Sequence, residues 1–376
     1  MDLRKQIKQL AACEPNDFPF ISLYFNLKRD EVGRRESEKF LKEKLNYFRN
    51  EFSNNAGKDY SFVLAWEPIQ QFIEQKLDPK SNGIAFFSRW QPEGAFFLPL
   101  QFPIALENRF VVDRVPHIFP LVQLLDNSYH YMVMISDSEK AKIYEIQFGA
   151  VEDVLHIQRP EDEKSFRGEW SQLHYQNWKK DKTRRFVKKK IEILADLMQR
   201  KGVEHLILAG DEVILAEIKR QLPKLLQERV VDFARMDMRM EESQIIRQTL
   251  TTFAELEKMI DSDAIALLHH AVATDGLGVL GNLNTLDALN QDKVDQLIMA
   301  IEYKGPAGWR CETCGFLGRG RLNTTCYNCS QPMLVEVNLK EEMVRKALLN
   351  GASVETVSNN EWLMKYGGVG ALLRYR

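Results

Sequence analysis

His205-Leu206-Ile207-Leu208-Ala209-Gly210 is an apolar run closing on Ala-Gly, and the stretch from Glu212 to Leu222 behind it has helical character. A strand that turns through two small residues into a helix is the β–turn–α unit of a parallel or mixed sheet. On its N-terminal side, Tyr131-Met132-Val133-Met134-Ile135-Ser136-Asp137 and Ala141-Lys142-Ile143-Tyr144-Glu145-Ile146 are two strands joined by a polar turn. A loop from Gln158 to Gly168 and a long helix from about Ser171 to Arg200 separate them from the opening unit. Together these pieces predict a middle domain over 128–242.

Further out, strand-like runs lie at Ile21-Ser22-Leu23-Tyr24-Phe25, Ser61-Phe62-Val63-Leu64-Ala65, Gly83-Ile84-Ala85-Phe86-Phe87 and Gly94-Ala95-Phe96-Phe97-Leu98. With the charged helix Glu36 to Glu51 they predict an N-terminal domain over 1–127. A C-terminal domain over 243–376 opens with helical periodicity from Ser243 through Ile260. It continues with a helix from Leu283 to Asn290, a strand from Val294 to Glu302, a helix from Leu339 to Asn350 and a strand from Ala352 to Val357. Gly367-Gly368-Val369-Gly370-Ala371-Leu372-Leu373-Arg374-Tyr375 closes the chain. The expected fold class is α/β and α+β: three domains of mixed sheets flanked by helices, with a four-cysteine zinc ribbon at 309–333 inserted in the last.

A chain of 376 residues suits such a division, since single cores stop growing well below this size. An apolar fraction of 44% and a charged fraction of 28% are those of a globular protein. No apolar run reaches the roughly 18 residues that cross a bilayer, and the N-terminal MDLRKQIKQL is an amphipathic stretch without a signal peptide's apolar centre. A cytoplasmic protein is expected.

Four of the five cysteines fall in the pattern Cys311-Glu312-Thr313-Cys314, then Cys326-Tyr327-Asn328-Cys329. Two-residue spacing lets both thiolates of a pair converge on one ion, and four thiolates satisfy tetrahedral Zn²⁺ with no open position for water. Gly315 and Gly320 suit the tight turns of such a ribbon. The zinc is therefore structural, and unliganded core cysteines leave the paired spacing without a reason. Cys13 stands apart as a buried or bystander thiol.

A net charge of −2 hides one basic stripe: Lys164 to Lys201 holds twelve Lys/Arg against four Asp/Glu. Within it, Trp178 to Lys190 carries eight cations in thirteen residues: Lys179, Lys180, Lys182, Arg184, Arg185, Lys188, Lys189 and Lys190. On a helix this leaves Trp178, Phe186 and Ile193 to pack. Such a density of like charge points to a polyanion's phosphates more than to a solvated face. Immediately upstream, Phe166-Arg167-Gly168-Glu169-Trp170-Ser171-Gln172-Leu173-His174-Tyr175 combines glycine, aromatics and amide. Its composition fits equally a tip that enters an RNA cavity and a plain loop with Trp170 tucked into its own domain. No glycine-rich phosphate loop occurs; Asp275-Gly276-Leu277-Gly278 is a turn signal, and His269-His270 are helix-face residues without a metal-like partner.

In this order, the chain resembles the superfamily of eukaryotic and archaeal termination release factors and the ribosome-rescue protein Pelota. Ile21-Ser22-Leu23-Tyr24 is similar to its first strand and Asn82-Gly83-Ile84-Ala85-Phe86-Phe87 to a later one. The Phe166–Tyr175 segment falls where the family carries its Gly-Gly-Gln tip, His205–Gly210 matches the following strand, and the Gly367–Tyr375 ending is similar to its closing strand. The resemblance implies a decoding-centre domain, a middle domain reaching the peptidyl-transferase centre, and a C-terminal domain that meets a translational GTPase such as elongation factor Tu. It also implies ribosomal RNA of both subunits, and tRNA, as neighbours, and no membrane. The bacterial branch includes hydrolase-like forms and hibernation factors of the Balon type. Two departures stand out. Gly168, Glu169 and Trp170 occupy the tip positions, leaving Gln172 as the catalytic candidate, with His174 where arginine is usual. Asn55-Ala56-Gly57-Lys58-Asp59 replaces the Asn-Ile-Lys-Ser loop that reads stop codons. The expected function is therefore occupation of idle or stalled ribosomes without stop-codon reading. Arg167, Gly168, Trp170, Ser171, Gln172, His174, Tyr175, Lys179, Lys180, Lys182, Arg184, Arg185, Lys188 and Lys189 are the expected RNA contacts. Peptidyl-tRNA hydrolysis through Gln172 is the alternative.

Overall fold

The computed structural model describes residues 2–28, 36–53, 56–127, 129–159, 172–322 and 324–376. They group into two compact units: Ser128–Leu256, and a second made of Met1–Asn127 with Glu257–Arg376.

In the middle unit a five-stranded sheet has the order Ala150–Gln158, Lys140–Gln147, Tyr131–Ser136, His205–Gly210, Val230–Ala234. Tyr131–Ser136 pairs antiparallel with Lys140–Gln147 and parallel with His205–Gly210, so that Ser136 lies opposite Gly210. The strand alternates between two cores. Met132 and Met134 join Phe186, Val187, Ile191 and Leu194 of the helix Gln172–Lys201 on one face. Tyr131, Val133 and Ile135 join Ile245 and Phe253 of the helix Glu242–Ala273 on the other. A strand with five consecutive apolar residues, Tyr131 to Ile135, needs both faces covered, and the long crossover helix supplies one cover.

In the second unit a four-stranded antiparallel sheet runs Phe96–Phe102, Gly83–Arg89, Phe20–Asn26, Arg109–Asp113. The segment expected as a strand at Ser61–Ala65 lies instead within the helix Ala56–Gln75. Phe62, Ala65, Trp66 and Ile69 are its buried apolar residues. Their i, i+3, i+4, i+7 spacing is helical, and that longer period outweighs the local β-propensity of Phe62-Val63. A separate sheet runs Gly278–Leu280, Val369–Leu373, Val294–Ala300, Ser353–Val357. Three short strands, Leu317–Arg319, Ala307–Cys311 and Leu334–Asn338, form the cysteine ribbon between Val294–Ala300 and the helix Leu339–Leu349. The strands Arg109–Asp113, Ala150–Gln158 and Val230–Ala234 add to those expected, and the helix opening at Glu242 runs on to Ala273.

Candidate nucleic-acid interface and metal centre

The helix Gln172–Lys201 sorts its residues by face. Phe186, Val187, Lys190, Ile191, Leu194 and Met198 are buried. Lys180, Arg184, Arg185, Lys188 and Lys189 are exposed. Lys182 is half-buried with its ammonium 4.8 Å from the centroid of the exposed Trp178 ring, a cation–π contact that leaves the aromatic on the same solvent face. Gln221 donates to the Arg184 carbonyl at 3.1 Å, fixing the helix against its neighbour Glu212–Gln221.

Lys190 does not belong to that surface. Its side chain is fully buried, and Nζ donates to Ser136 Oγ at 2.9 Å, to the Asp137 carbonyl at 2.6 Å and to the Lys140 carbonyl at 3.0 Å. The ammonium also lies 4.1 Å from the Phe186 ring centroid. Burial pushes its pKa down to about 8; Asp137 and Asp211 work in the opposite direction, and Arg159 adds to the depression. The three acceptors sit at the C-terminal end of Tyr131–Ser136, so Lys190 ties the cation-bearing helix to the end of the sheet. Gly210, at φ +150°, closes the same corner: a Cβ there would stand 2.1 Å from the Ser136 carbonyl oxygen. Asp211 then caps the next helix, its Oδ1 accepting from the Ile214 amide at 2.9 Å.

Arg167, Gly168, Glu169, Trp170 and Ser171 lie outside the described residues, and Gln172, His174, Tyr175 and Lys179 are described as helical backbone only. The structure thus brings Lys180, Lys182, Arg184, Arg185, Lys188 and Lys189 onto one helix and removes Lys190 from the charge run. In the Asn55–Asp59 stretch, Asn55 lies outside the described residues and Ala56 begins the helix Ala56–Gln75.

In the ribbon, Cys311 Sγ lies 3.5 Å from Cys329 Sγ, and Cys314 Sγ 3.7 Å from Cys326 Sγ. All four sulfurs fall within 4.8 Å of one another, making the one metal-capable cluster of His, Cys, Asp or Glu among the described residues. Gly315 at φ +69° and Gly320 at φ +92° take the left-handed turns that a side chain disfavours. Burial raises the Cys314 thiol, but bonds from the Phe316 backbone, the Asn328 side chain and the thiols of Cys329 and Cys311 bring it down to about 7. At Cys329 the backbone of Gln331 favours the thiolate, and burial with the other three thiols drives it up to about 12. Trp309, fully buried, packs with Cys311 and Cys326 beneath the cluster. His269 faces the Trp362 ring at 5.2 Å and stands outside any metal group. No helix among the described residues is long and apolar enough to cross a membrane.

Residues 116–254 match the family described as bacterial archaeo-eukaryotic release factor family 10. No curated protein sequence matches the chain. Among solved structures, an archaeal translation termination factor is similar at 17% identity over 100% of this chain and 97% of its own, with a TM-score of 0.26. Pelota of Archaeoglobus fulgidus is similar at 14% identity over 78% of this chain and 80% of its own, with a TM-score of 0.34. Dom34 of S. cerevisiae, a translation termination-like factor, is similar at 9% identity over 77% of this chain and 79% of its own, with a TM-score of 0.43. The matched segment 116–254 holds the five-stranded sheet and the cation-bearing helix, and over that segment the chain is similar to bacterial archaeo-eukaryotic release factor family 10.

Proposed function

We propose that this release-factor-like protein is a cytoplasmic, ribosome-binding translation factor that occupies the A site of idle or stalled ribosomes. The observation that supports this reading is the exposed face of Lys180, Arg184, Arg185, Lys188 and Lys189 on the segment that matches the family. Cations that face solvent together gain most from displacing counterions at RNA phosphates. In this reading the three-domain division holds for function: 1–127 at the decoding centre, 128–242 reaching the peptidyl-transferase centre, 243–376 against a translational GTPase such as elongation factor Tu. Trp170, His174 and Tyr175 stack on exposed bases, each worth on the order of 1–3 kcal/mol. Arg167, Gly168, Ser171, Gln172 and Lys179 complete the contact with RNA.

The metal of the ribbon is zinc and its role is structural. Zn–S bonds of about 2.3 Å in a tetrahedron give S···S edges near 3.8 Å, close to the 3.5 and 3.7 Å found between paired sulfurs.

Pelleting the protein with vacant ribosomes over a salt series tests the reading: a complex at low salt that weakens steeply with added salt is expected, and no complex at low salt refutes it. A hydrolase acting through Gln172, with backbone N–H groups polarising the ester carbonyl, is the competing outcome. It is revealed by peptidyl-tRNA cleavage on stalled ribosomes that falls in Gln172→Ala; equal background rates remove it.

A further inference from the structure

The ribbon's strands do not stand free of the rest of their unit. Arg310, one residue before Cys311, places Nε 3.7 Å from Glu342 Oε2, and the Glu342 side chain is only 4% exposed. Arg345 Nη1 lies 3.6 Å from the same oxygen, while its Nη2 donates to the Cys13 carbonyl at 2.8 Å. The neighbouring Glu341 accepts with Oε2 from the amides of Ile118, at 2.9 Å, and Phe119, at 3.0 Å. Those amides open the helix Phe119–Asp126, so Glu341 supplies the cap that its own sequence lacks. A second bridge runs through Arg114, whose Nη2 meets Glu312 at 2.6 Å and Asp17 at 2.9 Å. Between these groups lies a cavity of about 10 Å³, lined by Asp113, Arg310, Asn338, Glu341 and Glu342. Arg310 Nη1 and Glu342 Oε1 are buried there without a protein partner. Both the volume and the facing donor and acceptor suit a single bridging water.

We propose that metal binding by the ribbon and ordering of the N-terminal joint, residues 113–119 with 13–17, are one coupled event, transmitted by Arg310 through a hydrated Arg310–Glu342–Arg345 cluster. The ribbon's own core is little more than Trp309, Cys311, Cys326 and the half-buried Phe316, too small to hold three short strands without a metal. Losing the metal frees the strand that carries Arg310. Glu342 is then a buried carboxylate short of one of its two guanidinium partners, an undercompensated charge that drives the cluster apart. Glu341, on the same turn of the helix Leu339–Leu349, releases its cap in consequence. The inference rests on four thiolates holding a metal, and a visible-absorbing metal tests that premise separately.

The experiment uses the full chain, stripped by chelator and reloaded with Co²⁺, whose thiolate absorption reports occupancy. Amide hydrogen exchange is followed in peptides covering Ile118–Phe119, with the strand His205–Gly210 of the other unit as reference. Co²⁺ is expected to slow exchange at Ile118–Phe119 at least about tenfold and to leave the reference strand unchanged. In Arg310→Met the Co²⁺ spectrum persists and the slowing is lost; in Arg114→Ala, which removes the outer bridge to Glu312 and Asp17 together with the bond to the Asn16 carbonyl, it is reduced. Full occupancy with no slowing in the wild type, or with undiminished slowing in Arg310→Met, overturns the coupling. Absence of a thiolate–Co²⁺ spectrum overturns the metal reading beneath it.

Discussion

Lys190 Nζ donates to Ser136 Oγ at 2.9 Å across the junction between the cation-bearing helix and the central strand of the middle unit. One member of a run of eight cations is thereby an internal fastener while its neighbours face outward. Replacing it by methionine keeps the volume but removes three hydrogen bonds from a charged donor, leaving the Asp137 carbonyl only the Ser136 hydroxyl at 3.3 Å and the Lys140 carbonyl only the Asp137 amide at 3.1 Å. We expect Lys190→Met to lower the stability of the middle unit by about 1–3 kcal/mol at neutral pH, read from urea midpoints.

The same residue sets a pH dependence. Burial holds its pKa at about 8, below the usual lysine value of 10.5. The unfolded chain therefore binds more protons than the folded one between those values, and stability from this group rises with pH across that window. The cost of burying the charge is present in full below pH 8. Urea midpoints of wild type minus Lys190→Met, measured at pH 7 and pH 10, should shift in favour of the wild type at the higher pH.

Gly210 faces Ser136 across the parallel pair, and its positive φ and 2.1 Å clearance exclude a side chain. Gly210→Ala is expected to destabilise the middle unit by about 3 kcal/mol or more. Retention of the wild-type urea midpoint contradicts that packing.

In the other unit, burial first, then Asp126, Glu257 and Asp261, push Glu355 up to about 7, with a Gln296 hydrogen bond opposing. For a carboxyl whose folded pKa is raised above its unfolded value, stability is full at low pH and is lost as pH rises from about 4.5 to 7. Glu355→Gln removes that loss. It should be near neutral at pH 4 and stabilising at pH 8, by about 1 kcal/mol after solvent screening. Parallel melts at the two pH values decide it.

The ribbon was legible in the sequence because paired two-residue spacing is a geometric statement about thiolates, and the structure gathers the same four sulfurs. His205–Gly210 and Tyr131–Ser136 were legible because strands buried on both faces carry unbroken apolar runs, Leu206 to Ala209 and Tyr131 to Ile135. The edge strand Ala150–Gln158 escaped: it carries Glu152 and Asp153, is largely exposed and has little apolar alternation to detect. Ser61–Ala65 misled because five residues are too few to separate a helical period from a strand. Lys190 could not be told from Lys188 and Lys189 by composition; its burial depends on the three acceptors that the turn after Tyr131–Ser136 presents. The Arg310–Glu342–Arg345 cluster joins residues far apart in the chain, and no local pattern announces it.

The most direct test of ribosome binding through the helix is a salt titration of binding to vacant ribosomes, comparing the wild type with a chain in which Lys180, Arg184, Arg185, Lys188 and Lys189 are changed to glutamine. Those side chains point to solvent, so the fold should survive the change, as far-ultraviolet circular dichroism will check. The expected result is weaker binding, with the slope of log K against log salt reduced by about three or more. Equal affinity and an equal slope for both proteins would contradict it.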